Sequence, residues 1–445
     1  MCDIRPFRGL RYNLDRVDNL SKAITPPYDV ITLDDRTRYY NESPYNLIRL
    51  EYGKDKPGDS AKDNRYTRAA GTLRQWLEEG VLLQEERPAF YVIEHSFPYR
   101  NADTSRWGLM AGVRLEDFES GLIRPHERIK REPAVDRLNL LRACRANISP
   151  IMSLLRTERG ELLALLRRSK SREPDMTAVD RDGVTHNLWI ETDEGATGDL
   201  SALVRESPIY IADGHHRYET ALHYRNERRA SSGPSSGEEP YDFVMMSLMD
   251  SQDPGIVMMP THRLVRGLES GRAALLEKTV SSYFDVDRLL PPSPGNSDTI
   301  RNWLRILEIC GRDDTVLGAY GLHDDKFCIL RWRPDADLWS LMTEEEVRLW
   351  KDLDVVLLQR VVLQLALGID APESEAQHLQ YTRDGLEAKT RVDTGEFQLA
   401  FYLNPSPVSS IIETADAGMR LPQKSTYFHP KTPAGLVINP IWDSE

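Results

Sequence analysis

The sequence predicts an α+β fold with mixed sheets. Helical and strand-like segments alternate along the chain without a strict strand-helix-strand period, which argues against one parallel sheet. No internal repeat of the kind that marks solenoid proteins is visible. With 445 residues, 40% of them hydrophobic, the chain is long enough for two or three domains, each with its own core.

The first half of the chain is predicted from apolar spacing and turn residues. Residues 24–30 cannot be helical, because each proline of the pair Pro26-Pro27 pushes the residue before it to extended angles. Apolar residues three and four apart mark helices, whereas short β-branched or aromatic runs mark strands. These patterns predict strands over 46–50, 89–93 and 107–115, helices over 66–77 (ending at Gly80), 136–144 and 158–168, and a hairpin over 177–190 that turns at Asp182-Gly183.

The second half begins with a strand, a turn and a helix over 208–222, followed by a small, polar, breaker-rich stretch at 230–240. Thr343 and Glu346 form a capping box that opens a helix running to 367, where Gly368 closes it. The remaining predictions are strands over 243–249 and 256–259 (neighbours in one sheet), 316–321, 326–332, 397–403 and 435–438, helices over 273–283, 300–311 and 407–417, and loops over 291–298 and 424–431. We therefore predict an N-terminal α+β region (1–229), a flexible loop (230–240) and a C-terminal α+β region (241–445).

Bulk properties exclude several classes of protein. The net charge of −13 argues against a general nucleic-acid binder, which usually carries a basic face. Four widely spaced cysteines suggest neither a zinc ribbon nor a disulfide framework. The N-terminus lacks the apolar segment of a signal peptide, and no apolar run is long enough to cross a membrane. We expect a cytoplasmic protein with a small-molecule substrate, and a homo-oligomer is compatible with the sequence.

The segment 207–222, SPIYIADGHHRYETAL, is the strongest candidate site. Asp213 and Gly214 form a turn between a buried strand and a helix whose apolar face starts after Arg217. A helix N-terminus favours anions, and the planar guanidinium of Arg217 suits phosphate or carboxylate. His215 and His216 can hold or transfer protons. The alternative is that Asp-Gly only caps the helix and that the histidines are solvated.

The block ADGHHRY at 212–218 resembles the phosphate-binding signature of the ParB/sulfiredoxin superfamily. This superfamily includes free-serine kinases, CTP-hydrolysing partition proteins and sulfiredoxins. Over its whole length the chain resembles the DUF1015 family. The matching blocks are IRPF (4–7), PPYDV (26–30), HE (126–127), DRL (136–138), ANISPI (146–151), DGHHR (213–217), PTHR (260–263) and KSTYF (424–428).

The resemblance implies a set of site residues. Glu127 would be the base that activates a hydroxyl, since the free-serine kinases of the superfamily use a glutamate in this role. The implied catalytic residues are Glu127, His126, Asp213 and His216. The implied cofactor-binding residues are Gly214, His215, Arg217, Tyr218, Arg137, Asn147, His262, Arg263, Lys424, Ser425 and Tyr427.

Each of these residues also has an ordinary structural interpretation. Glu127 could belong to a surface loop, and Arg137 and Asn147 could be an ion-pair partner and a helix-end cap. His262 and Arg263, expected just past the end of the 256–259 strand, could be solvated there. Residues 424–431 could be a loop held by tyrosine packing, and Asp29 on the proline loop, with Tyr28, could either bind Mg²⁺ or a substrate amine or cap a turn.

The absence of several sequence motifs excludes the kinds of site that those motifs form. No P-loop, dinucleotide-binding fingerprint, HExxH or nucleophile elbow is present. Sulfiredoxins carry a cysteine where this chain has His215, so sulfinic-acid repair is excluded. Zinc held by His215 and His216 is not expected, because adjacent side chains diverge and no third ligand is evident.

The leading hypothesis is a nucleotide-dependent phosphotransferase acting on a small hydroxyl compound. The resemblance points to serine or phosphoserine metabolism, either as a kinase or in an ADP-linked reverse reaction. The implied cofactor is ATP or ADP, or CTP, with Mg²⁺ to neutralise phosphate charge. One alternative is a ParB-like nucleotide-binding switch without small-molecule phosphotransfer. The other is an interaction protein whose polar motifs only cap and turn.

Overall fold

A computed structural model describes residues 1–127, 132–232, 236–289, 297–323 and 326–442. The chain forms two compact units, and it passes between them four times. Unit 1 comprises Met1–Pro125, Ile129–Val257 and Phe428–Glu445, and unit 2 comprises His126–Arg128 and Met258–Tyr427. These divisions do not coincide with the predicted loop at 230–240, of which residues 233–235 lie outside the described residues.

Unit 1 is built on a mixed sheet of nine strands in the described part of the chain. Ile4–Arg5 pairs with one edge of Ala102–Arg114. The other eight strands lie in the spatial order Ile123–Pro125, Ile209–Asp213, Ile151–Leu155, Phe243–Asp250, Ala102–Arg114, Phe90–Tyr99, Thr185–Glu191 and Met176–Val179. Ile209–Asp213 is parallel to Ile123–Pro125 and antiparallel to Ile151–Leu155, which makes the sheet mixed as predicted.

Both faces of this sheet are buried. One face packs Tyr91, Ile93 and Met110 against Leu73 and Trp76. The opposite face packs Trp107, Leu109 and Ile211 against other helices. Unit 1 contains the helices Leu33–Glu42, Ile48–Glu51, Arg65–Glu78, Glu132–Cys144, Glu161–Arg167, Glu194–Arg205 and His215–Ser232, and two short antiparallel pairs, Leu10–Tyr12 with Leu82–Gln84 and Ala146–Asn147 with Asn439–Pro440.

Unit 2 has a second sheet. Its six described strands lie in the order Phe284–Leu289, Lys326–Trp332, Val316–His323, Leu399–Tyr402, His262–Val265 and Leu379–Thr382, and all of its pairings are antiparallel. Its helices are Ser270–Tyr283, Ser297–Cys310, Glu344–Trp350, Asp354–Leu357, Pro372–His378, Gly385–Asp393 and Val408–Asp416, together with a π-helical stretch at Leu358–Ala366. No helix in the described ranges is long and apolar enough to cross a membrane.

The local predictions hold where turn chemistry and periodicity agree. The helix Arg65–Glu78 ends before Gly80, which has a φ of +68°. The hairpin turn at Gly183 and the capping box between Thr343 and Glu346 are also present. In each case a short-range signal determines the structure, so the local sequence is sufficient.

Other predictions are wrong. Residues 46–50 are not a strand, because Asn46 accepts a hydrogen bond from Ile48 N and starts the helix Ile48–Glu51. Val257–Met258 is not a strand of the sheet that holds Phe243–Asp250. The expected strand at 435–438 is shifted to Asn439–Pro440.

In unit 2 the helix predicted from Thr343 to 367 is not continuous. It is interrupted after Trp350, and a later helix changes from α-helical to π-helical hydrogen bonding at Leu358. His262 and Arg263 do not follow a strand end, since both lie within the strand His262–Val265. The strand Leu379–Thr382 was not predicted. Of the predicted loop at 291–298, residues 291–296 lie outside the described residues.

Candidate functional site

The DGHHR motif forms a sharp corner between a strand and a helix in unit 1. The strand ends at Asp213, Gly214 has a φ of +92°, and the helix starts at His215. Glycine is required at position 214 for two reasons. A residue with a side chain rarely adopts this φ, and an added Cβ would lie 2.9 Å from the Arg217 guanidinium. The first turn of the helix presents N–H groups without intrahelical acceptors, so it favours an anion.

Asp213 holds two cations. Its Oδ2 accepts a hydrogen bond from Arg217 Nη2 at 2.8 Å, and its Oδ1 pairs with Lys431 Nζ. Arg217 also donates to the carbonyl oxygen of Pro150. We call Asp213, Arg217 and Lys431 the Asp213 cluster. It joins the DGHHR motif to a lysine 218 positions away from Asp213 in the sequence.

The opposite charges of Asp213 and its two cationic partners stabilise one another. Burial alone would raise the pKa of Asp213, but Lys431 and Arg217 lower it far below its usual value. Burial opposes the charge of Arg217, yet Asp213 raises the pKa of that guanidinium above its ordinary value. With one carboxylate and two basic side chains, the cluster has a net formal charge of one positive unit. Asp213 fixes the positions of both cations.

A cavity of about 50 Å³ lies beside Arg217 and is lined by apolar side chains and by Glu51, Arg137, Asn147 and Ser149. Glu51 is 1% exposed, and its Oε1 accepts hydrogen bonds from Ser149 Oγ at 3.0 Å and from Tyr28 N at 3.2 Å. A cavity of this volume is too small for a nucleotide.

Arg137 links the proline loop to this cavity. Its guanidinium lies 4.0 Å from the centre of the Tyr28 ring and donates to the Glu51 carbonyl oxygen at 2.8 Å and to Asp136. Asp29, on the same loop, is exposed and raises the pKa of Arg217 by its charge. The blocks PPYDV, DRL, ANISPI and DGHHR therefore surround one region of unit 1.

Asn147 and Tyr218 make contacts that stabilise the fold. Asn147 Oδ1 accepts hydrogen bonds from Met245 N at 3.0 Å and from Asn439 Nδ2 at 2.9 Å. The buried Tyr218 hydroxyl donates to the Glu116 carbonyl oxygen at 2.7 Å. Direct contact of either side chain with a cofactor stays a prediction, as it does for the buried His215 and the half-buried His216.

In unit 2, the His-Glu pair and the KSTYF block form a second cluster. Glu127 Oε1 accepts a hydrogen bond from Lys424 N at 2.7 Å, and His126 Nε2 lies 3.0 Å from Thr426 Oγ1. Lys424 has a φ of +57°, which turns the chain so that its N–H reaches the carboxylate. The backbone of His126 also accepts a bond from Leu421 N at 2.8 Å. Glu127 is thus held by a loop almost 300 residues away in sequence.

The PTHR block contributes to the same cluster in unit 2. Arg263 is 3% exposed and donates to the carbonyl oxygens of Thr261 and of Lys424, the latter at 3.0 Å. His262 packs against the Tyr402 ring at a tilt and accepts a hydrogen bond from Leu403 N, and burial lowers its pKa to about 3. A neutral, packed His262 is not suited to bind an anion by charge.

The remaining residues of the KSTYF block are also located. Ser425 Oγ donates to the Pro422 carbonyl oxygen at 2.6 Å, and the Tyr427 ring lies 4.1 Å from the Arg383 guanidinium carbon. The Lys424 side chain is exposed. Binding of a cofactor by these three residues stays a prediction.

The chain matches, over residues 4–356, the protein family described as "Protein of unknown function (DUF1015)". It belongs to the DUF1015 family. This confirms the resemblance drawn from the eight sequence blocks. No curated protein matches this DUF1015 chain.

Three solved structures resemble the DUF1015 chain weakly. A conserved hypothetical protein from Pyrococcus furiosus is 14% identical, with a TM-score of 0.33, over 74% of this chain and 93% of that chain. A free serine kinase in complex with AMP is 12% identical, with a TM-score of 0.35, over 72% and 86%. SbnI with a C-terminal truncation, from Staphylococcus aureus, is 9% identical, with a TM-score of 0.31, over 73% and 84%. At these scores, the chemistry of this chain has to be inferred from its own residues.

Sequence reasoning missed Glu51 entirely and included Lys431 only as the last residue of the predicted 424–431 loop. Glu51 lies in a segment mistaken for a strand, and no motif marks it. Lys431 carries no local signal either, because its partner Asp213 is distant in sequence. Both residues become visible only through their tertiary contacts.

Asp354 supplies a prediction for unit 2. Burial raises its pKa to about 7, although hydrogen bonds from Asn404 N and Val355 N and the charge of Arg263 oppose the shift. The folded pKa exceeds the unfolded one, so the stabilisation is complete below about pH 4 and is lost as the pH rises through 7. Between these values the unfolding free energy should fall by up to about 4 kcal/mol. Urea unfolding of wild type and Asp354→Asn as a function of pH measures this change in unfolding free energy.

The matched control is the exposed Asp352→Asn, two residues away. This control should keep the wild-type pH dependence, whereas Asp354→Asn should lose it. Equal slopes for all three proteins between pH 4.5 and 7.5, roughly the window set by the two pKa values, would contradict the prediction.

Proposed function

We propose that this chain binds a nucleotide through its phosphates at the Asp213 cluster. It then transfers a phosphoryl group to or from the hydroxyl of a small compound, with serine and phosphoserine as the leading pair. The observation that carries this proposal is the pairing of Arg217 and Lys431 on one buried carboxylate. Two fixed cations beside a helix N-terminus form a preorganised site for a phosphate group.

The cluster suits phosphoryl transfer for an electrostatic reason. This reaction depends mainly on positioning and on stabilising charge that spreads over the phosphoryl oxygens. Asp213 already neutralises one of the two positive charges. The site therefore presents a single net positive charge in a fixed orientation. Gly214 allows the guanidinium to lie directly against the corner of the chain. These features support binding of a terminal phosphate in a fixed orientation.

The nucleotide supplies the phosphoryl group. In the forward direction, the substrate hydroxyl oxygen forms the new P–O bond while the bond to the bridging oxygen breaks, and the hydroxyl proton passes to a base. The family resemblance gives Glu127 this role. In the reverse direction, phosphoserine and a nucleoside diphosphate yield serine and the triphosphate.

Mg²⁺ would neutralise phosphate charge. The described residues contain no group of three His, Cys, Asp or Glu side chains arranged to hold a metal. Proteins commonly bind this ion through one or two carboxylates together with substrate phosphates and water. The donor set therefore fits an ion carried mainly by the nucleotide, with Asp29 as the carboxylate that the sequence suggests.

Calorimetric titration with ATP, ADP and CTP tests nucleotide binding. Arg217→Ala should weaken the affinity by about tenfold or more, since a charge-assisted hydrogen bond is lost. Arg217→Lys, which keeps the charge, should lie between Ala and wild type and confirms that the fold is intact. Arg87→Ala, an exposed arginine in unit 1, should bind as wild type does. Wild type without affinity for any of the three nucleotides would refute the proposal.

Labelled phosphoryl transfer then separates an enzyme from a switch. Wild type should phosphorylate serine, or transfer phosphate from phosphoserine to ADP. Glu127→Gln keeps the acceptor for Lys424 N but loses the base, so nucleotide affinity should persist while turnover falls about 100-fold or more. Nucleotide binding without transfer to any small hydroxyl compound would instead favour a nucleotide-binding switch.

A further inference from the structure

Arg106 is a buried cation whose hydrogen-bond donors are unsatisfied in the described part of the chain. It lies in the strand Ala102–Arg114 of unit 1 and is 0% exposed. None of its three guanidinium nitrogens has a hydrogen-bond partner among the described residues. A guanidinium has five N–H donors, and native proteins rarely leave buried donors unsatisfied. A bound anion would supply the acceptors that these donors lack.

Polar side chains from three other segments of unit 1 lie around this position. His95 is directly opposite Arg106 on the neighbouring strand, and its Nε2 is 3.4 Å from Thr432 Oγ1. Gly108 is the next residue on the same face, and a Cβ there would lie 2.8 Å from Ser247 Oγ. Ser247 Oγ is buried and has no hydrogen-bond partner in the described part of the chain. The environment contains hydroxyl groups, and no carboxylate of the described residues forms a hydrogen bond or ion pair with Arg106.

The charge balance favours a monoanion. Burial, then Arg106 and His186, lower the pKa of His95 well below its ordinary value, so this imidazole is neutral. Asp253 acts on Arg106 through its charge, but its carboxylate accepts hydrogen bonds from Trp107 N and Gly255 N instead. A carboxylate matches both the single positive charge and the planar fork of the guanidinium, whereas a phosphate dianion leaves excess charge.

We propose that Arg106 binds the carboxylate of a small carboxylic acid. The choice of ligand rests on the proposed function, under which this acid is the hydroxy amino acid that accepts or returns the phosphoryl group. Two connections within unit 1 support this. Thr432 directly follows Lys431 of the Asp213 cluster, and Ser247, Met152 and Asp213 lie in one row across three strands. Ser247 is in turn opposite Met110, which lies four residues from Arg106 on the same strand.

The test compares L-serine with ethanolamine, which has the same amine and hydroxyl but no carboxylate. Binding and thermal shift are measured for wild type, Arg106→Met, Arg106→Lys and the exposed control Arg87→Met. Wild type should bind L-serine and not ethanolamine. Arg106→Met should bind L-serine about 10- to 100-fold more weakly, as expected for loss of a charged hydrogen bond. Arg106→Lys should be intermediate, and the control should match wild type.

Stability without ligand gives an independent readout. Because the guanidinium has no hydrogen-bond partner within the described ranges, Arg106→Met should keep or raise the melting temperature in the absence of serine. A large fall in melting temperature would show a structural partner and overturn the proposal. So would unchanged L-serine affinity in Arg106→Met, or equal binding of ethanolamine and L-serine by wild type.

The two proposals fail separately. Arg106→Met should leave ATP and ADP affinity unchanged, whereas Arg217→Ala should lose it. Serine binding that depends on Arg106 in a protein without nucleotide affinity would refute the proposed function and keep this site. Nucleotide-dependent phosphoryl transfer to serine that is unchanged in Arg106→Met would refute this site alone.

Discussion

Asp213→Asn is expected to lower the unfolding free energy by about 3 kcal/mol or more at neutral pH, because it leaves two buried cations without their counter-charge. Arg217 and Lys431 are both largely buried, with side-chain exposures of 9% and 7%. Without the carboxylate they would repel each other across a dry interior. Nucleotide affinity should also fall, since the carboxylate is what holds both cations in position.

The pH dependence of this effect has a definite sign. The folded-state pKa of Asp213 is lowered, so its stabilisation is present above the unfolded value of about 4 and is lost as the pH falls through the folded value. The difference in unfolding free energy between wild type and Asp213→Asn should therefore be largest at neutral pH. It should shrink progressively below about pH 4.

Urea unfolding over this pH range provides the measurement. Asp15→Asn, at an exposed position of unit 1, is the control and should unfold as wild type does. If Asp213→Asn unfolds at the wild-type urea concentration at neutral pH, the carboxylate does not hold the cluster together.

Gly214→Ala should both destabilise the protein and weaken nucleotide binding. The φ of +92° disfavours any side chain, at a cost of roughly 1–3 kcal/mol. In addition, the new methyl group would meet the Arg217 guanidinium at 2.9 Å and displace it. The expected result is an affinity for ATP reduced by about tenfold or more, as for Arg217→Ala.

Gly183→Ala is a matched control for this change. Gly183 also has a positive φ, of +77°, but an added Cβ would meet nothing within 4 Å. Gly183→Ala should therefore lower the unfolding free energy without weakening nucleotide binding. Equal nucleotide affinities for the two variants would mean that displacement of Arg217 is unimportant.

The structure groups the sequence-predicted motifs into two sets. The blocks PPYDV, DRL, ANISPI and DGHHR converge in unit 1, and the HE, PTHR and KSTYF blocks converge in unit 2. The segment 424–431 contributes to both, because Lys424 holds Glu127 and Lys431 holds Asp213. A loop that looked like a single polar stretch thus serves two clusters. Its sequence alone gives no sign of this division.

The sequence by itself determined the corner at Asp213 and Gly214, since an apolar run, a flexible residue and helical periodicity act over a few neighbouring positions. For the same reason it determined the capping box at Thr343 and the turn at Gly183. Tertiary contacts alone determine that Lys431 pairs with Asp213, that Glu51 is buried, and that the Arg106 donors are unsatisfied among the described residues. Such pairings depend on which distant segments the sheets bring together, and no short-range preference encodes that.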